Sequence, residues 1–152
     1  MKPTCLMLAL AVFLGAFATS SLAAPLSGQP TPILWKNPSP IDELKDVLFE
    51  FDTHESAAEM AILEANARWL KDHPNVHFNL AGYTDPRGDL IYNLALSQKR
   101  ANTVKQELVR MGIAADRIRF AVGWGELYPN CMESTEDCWK QNRRVEFVRV
   151  GE

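Results

Sequence analysis

Apolar positions recur along this chain in two rhythms, and the way they alternate predicts the order of its elements. The run Asp-Val-Leu-Phe-Glu-Phe over 46–51 is rich in branched and aromatic residues and predicts a strand, with Asp52-Thr53-His54-Glu55 as the following loop. Ser56 with Glu59 three residues on forms a capping-box pattern. Met60, Leu63, Ala67 and Leu70 then recur at helical spacing, so a helix is predicted over 57–72, stopped by His73-Pro74. Over 76–83, Val76, Phe78 and Leu80 alternate with His77, Asn79 and Ala81, the period of a half-buried strand. Asp85-Pro86-Arg87-Gly88 fits a type I turn. A long helix is predicted over 89–111, with Leu90, Leu94, Ala101, Val104 and Leu108 inward and Gly112 as its stop. A third strand over 118–124 enters Gly123 and Gly125, a short helical turn is predicted over 136–141, and a last strand over 144–150. Strand and helix alternate throughout, which predicts an α/β fold of two layers with helices packed on a sheet.

The first residues follow a different pattern. Lys2, an apolar core over 6–18 and the small residues Ser20-Ser21-Leu22-Ala23-Ala24 have the layout of a secretory signal peptide. Cleavage is expected after Ala23, giving 1–23 as signal peptide; an uncleaved anchor is the alternative. Cys5 precedes the apolar core, whereas a lipoprotein cysteine follows it, so no lipobox encodes membrane attachment here. Residues 24–44 carry Pro25, Pro30, Pro32, Pro38 and Pro40 and read as an extended arm or linker. Ile33, Leu34 and Trp35 interrupt the arm, either pinning it to the domain or docking a partner. The domain proper is expected over 45–152.

Removing residues 1–23 from the 152 takes only Lys2 among the charges, so the formal net charge moves from -3 to -4. A mildly acidic chain without a clustered basic face argues against nucleic-acid binding; Lys99, Arg100, Lys105 and Arg110 are interleaved with Glu107 and apolar residues. His54, His73 and His77 fit no common metal-ligand spacing, and nothing points to a cofactor. The mature chain keeps two cysteines, Cys131 and Cys138, in an oxidising compartment where such a pair usually closes. Their spacing lacks the two-residue gap of a catalytic dithiol, so a structural bridge is expected. Trp124 and Trp139 read as packing residues, with stacking on sugar rings as the alternative.

Asp85 in the Thr-Asp-Pro-Arg-Gly turn and Arg100, fifteen residues on in the following helix, are the candidate binding pair. A ligand bearing both an ammonium and a carboxylate would bridge them. From spacing alone a plain structural ion pair is the simpler reading. The wording around the pair resembles the OmpA C-terminal-like peptidoglycan-binding family: Gly82-Tyr83-Thr84-Asp85, then Leu96-Ser97-Gln98-Lys99-Arg100-Ala101-Asn102-Thr103-Val104, then Asn142-Arg143-Arg144. The resemblance spans about 46–150 and implies a βαβαβ(α)β domain with helices on a mixed four-stranded sheet. It implies no enzyme, but non-covalent binding of the peptidoglycan stem peptide through its diaminopimelate residue, linking the cell envelope to the wall. On that basis Asp85 meets the ammonium and Arg100 the carboxylate, with Asn93, Asp52, Thr53 and Arg144 completing the site. Tyr83 departs from the histidine common at its place. The implied location is the periplasm, at the outer membrane or wall. An envelope interaction module working through the arm is the alternative; a wall hydrolase lacks any nucleophile or zinc-ligand arrangement.

Overall fold

The computed structural model describes residues 40–56 and 59–150. They form β1 (Val47–Leu48), α1 (Met60–Asp72), β2 (Phe78–Gly82), α2 (Leu90–Arg110), a 3₁₀ turn (Ala115–Arg117), β3 (Ile118–Gly123), α3 (Glu136–Asn142) and β4 (Arg144–Arg149). The predicted alternation is the one that forms. The strands make one mixed sheet in the order β1-β4-β2-β3, with β2 and β3 parallel and β4 antiparallel to both β1 and β2. A parallel pair needs a crossover connection, and α2 supplies it. The signal-peptide segment and the Ile33-Leu34-Trp35 clump lie outside the described residues. Pro40, assigned to the arm from sequence, bridges Val148, and Ile41 and Leu44 lie in the core.

The core lies between the sheet and the two long helices. Phe78 and Leu80 of β2 and Val145 and Phe147 of β4 face Leu63, Ala67 and Leu70 of α1 and Ala101, Val104 and Leu108 of α2. A smaller cluster of Ala81, Tyr83 and Val148 with Trp124 covers the other face. This is why all five residues of β2 are buried, where alternation predicted a half-buried strand: β2 is a central strand with both faces covered.

Two boundaries and one buried stripe also differ from expectation. The first strand is only two residues long, because beyond Leu48 the chain keeps one ladder-like bond, Phe49 N–H to the Arg143 carbonyl at 2.8 Å, and then turns at Asp52 with φ 56°. Helix α1 begins at Met60 and its cap residue Glu59 makes no side-chain bond; the Glu59 N–H donates to the Ser56 carbonyl at 3.0 Å in place of the expected capping box. In α2 the buried stripe runs Asn93, Leu96, Ser97, Arg100, Ala101, Val104, Leu108, while Leu90 is 51% exposed. The stripe is therefore polar at its N-terminal end and apolar at its C-terminal end.

Glycine permits that polar end to sit close to the sheet. A methyl group on Gly82 would collide with the Ser97 carbonyl, and one on Gly123 would collide with the Gln98 backbone. The close approach is fastened by Ser97 Oγ, which accepts from Gly125 N–H at 2.8 Å, and by Gln98 Oε1, which accepts from Gly123 N–H at 3.0 Å. Gly112, at φ 91°, ends α2 as predicted. Away from this end, Arg117 donates to the carbonyls of Leu70, His73 and Val76 and so satisfies the C-terminus of α1.

Candidate functional site

Four segments meet beyond the C-terminal end of β2: the loop after β1, the Thr84–Gly88 turn, the first half of α2, and the junction of α3 with β4. They enclose a cavity of about 220 Å³ lined by Phe51, Asp52, Asp85, Tyr92, Asn93 and Arg100, with Arg87 and Arg143. Space of this size holds several waters or the polar end of an amino-acid-like ligand.

Arg100 is fully buried. Its Nε donates to the Thr53 carbonyl at 2.8 Å, Nη1 to the Tyr83 carbonyl at 2.9 Å and Nη2 to the Glu50 carbonyl at 3.1 Å. A guanidinium carries five N–H groups, so two remain after these three bonds. Burial, and then the nearby Arg143 charge, pull its pKa down to about 10, which leaves it a cation at neutral pH. The structural ion pair with Asp85 that spacing alone favours does not form, and the two groups hold separate partners on one cavity.

Asp85, 3% exposed, is held by other arginines. Its Oδ1 accepts from the Arg87 backbone N–H at 3.1 Å, the local turn that aspartate favours before proline. The Arg87 guanidinium grips the same carboxylate from Nε at 3.1 Å and Nη2 at 2.7 Å, and Arg143 Nη1 adds a bond at 3.1 Å. Burial alone would raise the carboxyl pKa, but the bonds from Arg87 and Arg143 outweigh it and hold Asp85 below the usual carboxylate range.

The remaining predicted residues divide. Asp52 lines the mouth in a left-handed conformation that aspartate tolerates, and its carboxylate accepts from the Tyr92 hydroxyl across the opening. Thr53 contributes through its carbonyl to Arg100. Asn93 is buried, with Nδ2 donating to Glu126 Oε2 at 2.7 Å. Arg144 does not reach the cavity. It lies on the opposite face of the sheet, bonded to Glu146 at 3.0 and 3.1 Å and stacked 4.0 Å over the Tyr83 ring. Successive strand residues point to opposite faces, and of the two adjacent arginines it is Arg143, at the end of α3, that turns inward. Its Nε donates to the Phe49 carbonyl at 2.9 Å and its Nη2 to Glu136 Oε1 at 2.7 Å.

Tyr83 accordingly packs under Arg144 and only its carbonyl touches the site, so the tyrosine ring is not part of the cavity lining. On that outer face, burial and then the Glu146 carboxylate raise Asp46 to about 6, against the opposing pull of Arg144. Burial and Glu146 likewise push the Tyr83 phenol up, so it stays neutral.

Arg87, Arg143, Phe51 and Tyr92 were not singled out from sequence. The signal for Arg87 was its place two residues after Asp85 in the turn; for Arg143 it was the doubled arginine, which puts one side chain on each face. Trp139 stacks on the Arg87 guanidinium at 4.2 Å rather than serving only as packing beside the disulfide. Cys131 and Cys138 are bonded to each other as expected. Asn142 braces that loop by pairing with the Cys131 backbone through Oδ1 at 3.0 Å and Nδ2 at 2.7 Å. Among the described residues no group of three His, Cys, Asp or Glu is arranged to hold a metal.

A mixed four-stranded sheet covered by helices, with buried arginines and an aspartate converging beyond its central strand, defines a two-layer α/β domain with a charged recognition cavity. The chain belongs to the OmpA family, whose model matches residues 48–143. The family is one of non-enzymatic structural envelope proteins. It is 38% identical over 102 residues to a peptidoglycan-associated lipoprotein of Legionella pneumophila, covering 66% of this chain and 57% of the relative. It is 34% identical over 106 residues to that of Rhizobium meliloti, covering 69% and 60%. This chain thus spans under two thirds of the length of these relatives. The crystal structure of the peptidoglycan-associated lipoprotein of Burkholderia pseudomallei superposes with a TM-score of 0.64 at 38% identity, over 69% of this chain and 89% of that one. The cell wall anchor of the Pseudomonas aeruginosa T6SS matches with a TM-score of 0.58 at 26% identity, over 74% and 78%.

Proposed function

We propose that this domain binds peptidoglycan non-covalently by taking the zwitterionic end of a diaminopimelate residue of the stem peptide into the cavity. The observation that carries the reading is the presence on one cavity of a buried carboxylate, Asp85, and a buried guanidinium, Arg100, that keeps two N–H groups uncommitted among the described residues. Opposite charges lining one cavity select a ligand that is itself charged in both senses. A carboxylate would take the free N–H groups of Arg100 in a two-pronged bond, and an ammonium would face Asp85. Asp52 and Asn93 line the approach, and Arg143 takes the role first assigned to Arg144. The names of the relatives, peptidoglycan-associated lipoproteins and a cell wall anchor, support the same ligand. A leader of the signal-peptide type and the bonded cysteines support work in the periplasm, where the wall is exposed.

The test is a calorimetric titration with two tripeptides, L-alanyl-γ-D-glutamyl-meso-diaminopimelate and its lysine counterpart. The diaminopimelate form binds more tightly, because lysine lacks the second carboxylate for Arg100. Equal affinity for the two would overturn the assignment of Arg100. Asp85→Asn is expected to weaken the diaminopimelate complex by at least about tenfold, as a charged partner is left unpaired; unchanged affinity would remove Asp85 from the site.

A further inference from the structure

We infer that Arg87 is a tethered competitor for the ammonium seat at Asp85, so that ligand binding at this cavity is an exchange of one cation for another. The inference rests on the reading of the site given above. Its observation is the saturation of Asp85. A carboxylate offers about four acceptor positions, and four N–H groups fill them: the Arg87 backbone N–H and Nε on Oδ1, and Arg87 Nη2 and Arg143 Nη1 on Oδ2. An arriving ammonium finds no vacant oxygen.

The two arginines are not equally replaceable. Arg143 is 2% exposed at its side chain and is tied independently to the Phe49 carbonyl and to Glu136. The Arg87 side chain is 31% exposed, and besides Asp85 its guanidinium has, among the described residues, only Glu136, at 3.4 Å, as an ionic partner. Its guanidinium lies over the Phe51 ring at 4.0 Å and over the Trp139 ring at 4.2 Å. Two aromatic faces beside two carboxylates form a seat for a cation in general, and the chain fills it with its own. Because Arg87 is only two residues from Asp85, it is present at a high effective concentration and does not dilute away.

The ligand is bound with an affinity scaled by the fraction of molecules in which Arg87 has left the seat. Removing the competitor therefore tightens binding, which is the opposite of what a direct ligand contact would do. The experiment compares wild type with Arg87→Met and Arg87→Gln by calorimetry, using the L-alanyl-γ-D-glutamyl-meso-diaminopimelate tripeptide and the same tripeptide acetylated on its side-chain amine. Both variants are expected to bind the free-amine tripeptide about tenfold more tightly than wild type and to gain nothing for the acetylated one. Binding that is equal or weaker in both variants, while wild type still binds, would overturn the competitor role and leave the binding site standing. A gain that also extends to the acetylated tripeptide would overturn it too, since no cation would then be exchanged. Absence of binding in wild type and variants alike at millimolar tripeptide would overturn both readings together.

Discussion

Replacing Arg100 with alanine removes a clamp as well as a ligand contact. The Tyr83 carbonyl it serves is buried, whereas the Thr53 and Glu50 carbonyls are partly buried beside the cavity. A hydrogen bond from a charged donor contributes about 1.5 to 3 kcal/mol, and a carbonyl that water can reach recovers part of that loss. Counting the Tyr83 bond near the middle of that range and the other two at a fraction of it gives a gross loss of about 3 kcal/mol. Relief from burying the guanidinium offsets some of it, so about 2 kcal/mol is the expected net cost. For a domain of this size that is a fall in Tm of roughly 10 °C. Thermal and urea unfolding followed by circular dichroism at pH 7 measures it. Arg100→Lys keeps the charge but not the planar fork and falls between the two. A variant within about 0.5 kcal/mol of wild type would refute the idea that Arg100 holds the loops in the unliganded domain. Binding assays on this variant belong well below its own midpoint, so that lost recognition is not confused with unfolding.

Gly82→Ala or Gly123→Ala forces α2 off the sheet and is expected to cost about 3 kcal/mol, read as a lowered urea midpoint; a change under about 1 kcal/mol would mean the helix is free to retreat. Replacing both Cys131 and Cys138 with serine is expected to lower stability by about 2 to 3 kcal/mol for so short a loop, and added reductant should bring wild type to the same midpoint. Asp46→Asn tests the outer face through pH. The folded pKa is raised to about 6 from 3.8, so the native state holds its proton more tightly and the stability of wild type falls as pH rises from about 4 to 6. With its side chain 37% exposed the screened effect stays below about 1 kcal/mol. The asparagine variant should therefore be more stable than wild type at pH 7 but not at pH 4; a difference of the same size at both pH values would show that ionisation of Asp46 is not the cause.

The order of elements was legible because each has a period of its own: Met60, Leu63, Ala67 and Leu70 can form one face only as a helix, and Gly112 stops α2 where a left-handed residue is needed. Periodicity failed where burial is polar. Asn93, Ser97 and Arg100 belong to the buried stripe of α2, yet a pattern built on apolar residues extends that stripe to Leu90 instead. That Asp85 and Arg100 line one cavity accords with the motifs around them, but their partners were not readable there. Asp85 pairs with Arg87 through the local turn and with Arg143 across 58 residues, and only tertiary structure brings the latter close. Arg143 and Arg144 are chemically alike and adjacent; which one turns inward depends on the phase of β4, which sequence leaves open.

The shortness of β1 bears on how the domain would carry a mechanical load. Tension applied to the chain ahead of Pro40 and resisted at the cavity enters along residues 40–53. Two paired residues, the Pro40 bridge and the Ile41 N–H bond attach that segment to β4, and the Phe49 N–H bond attaches it to Arg143 just before β4. So slight a ladder would part early if it acted alone. It is reinforced by side chains: Arg143 on the Phe49 carbonyl, and Arg100 on those of Glu50 and Thr53. The arginines that furnish the cavity are thus also rivets on the strand that would be pulled, and parting that strand would dismantle the cavity in the same event.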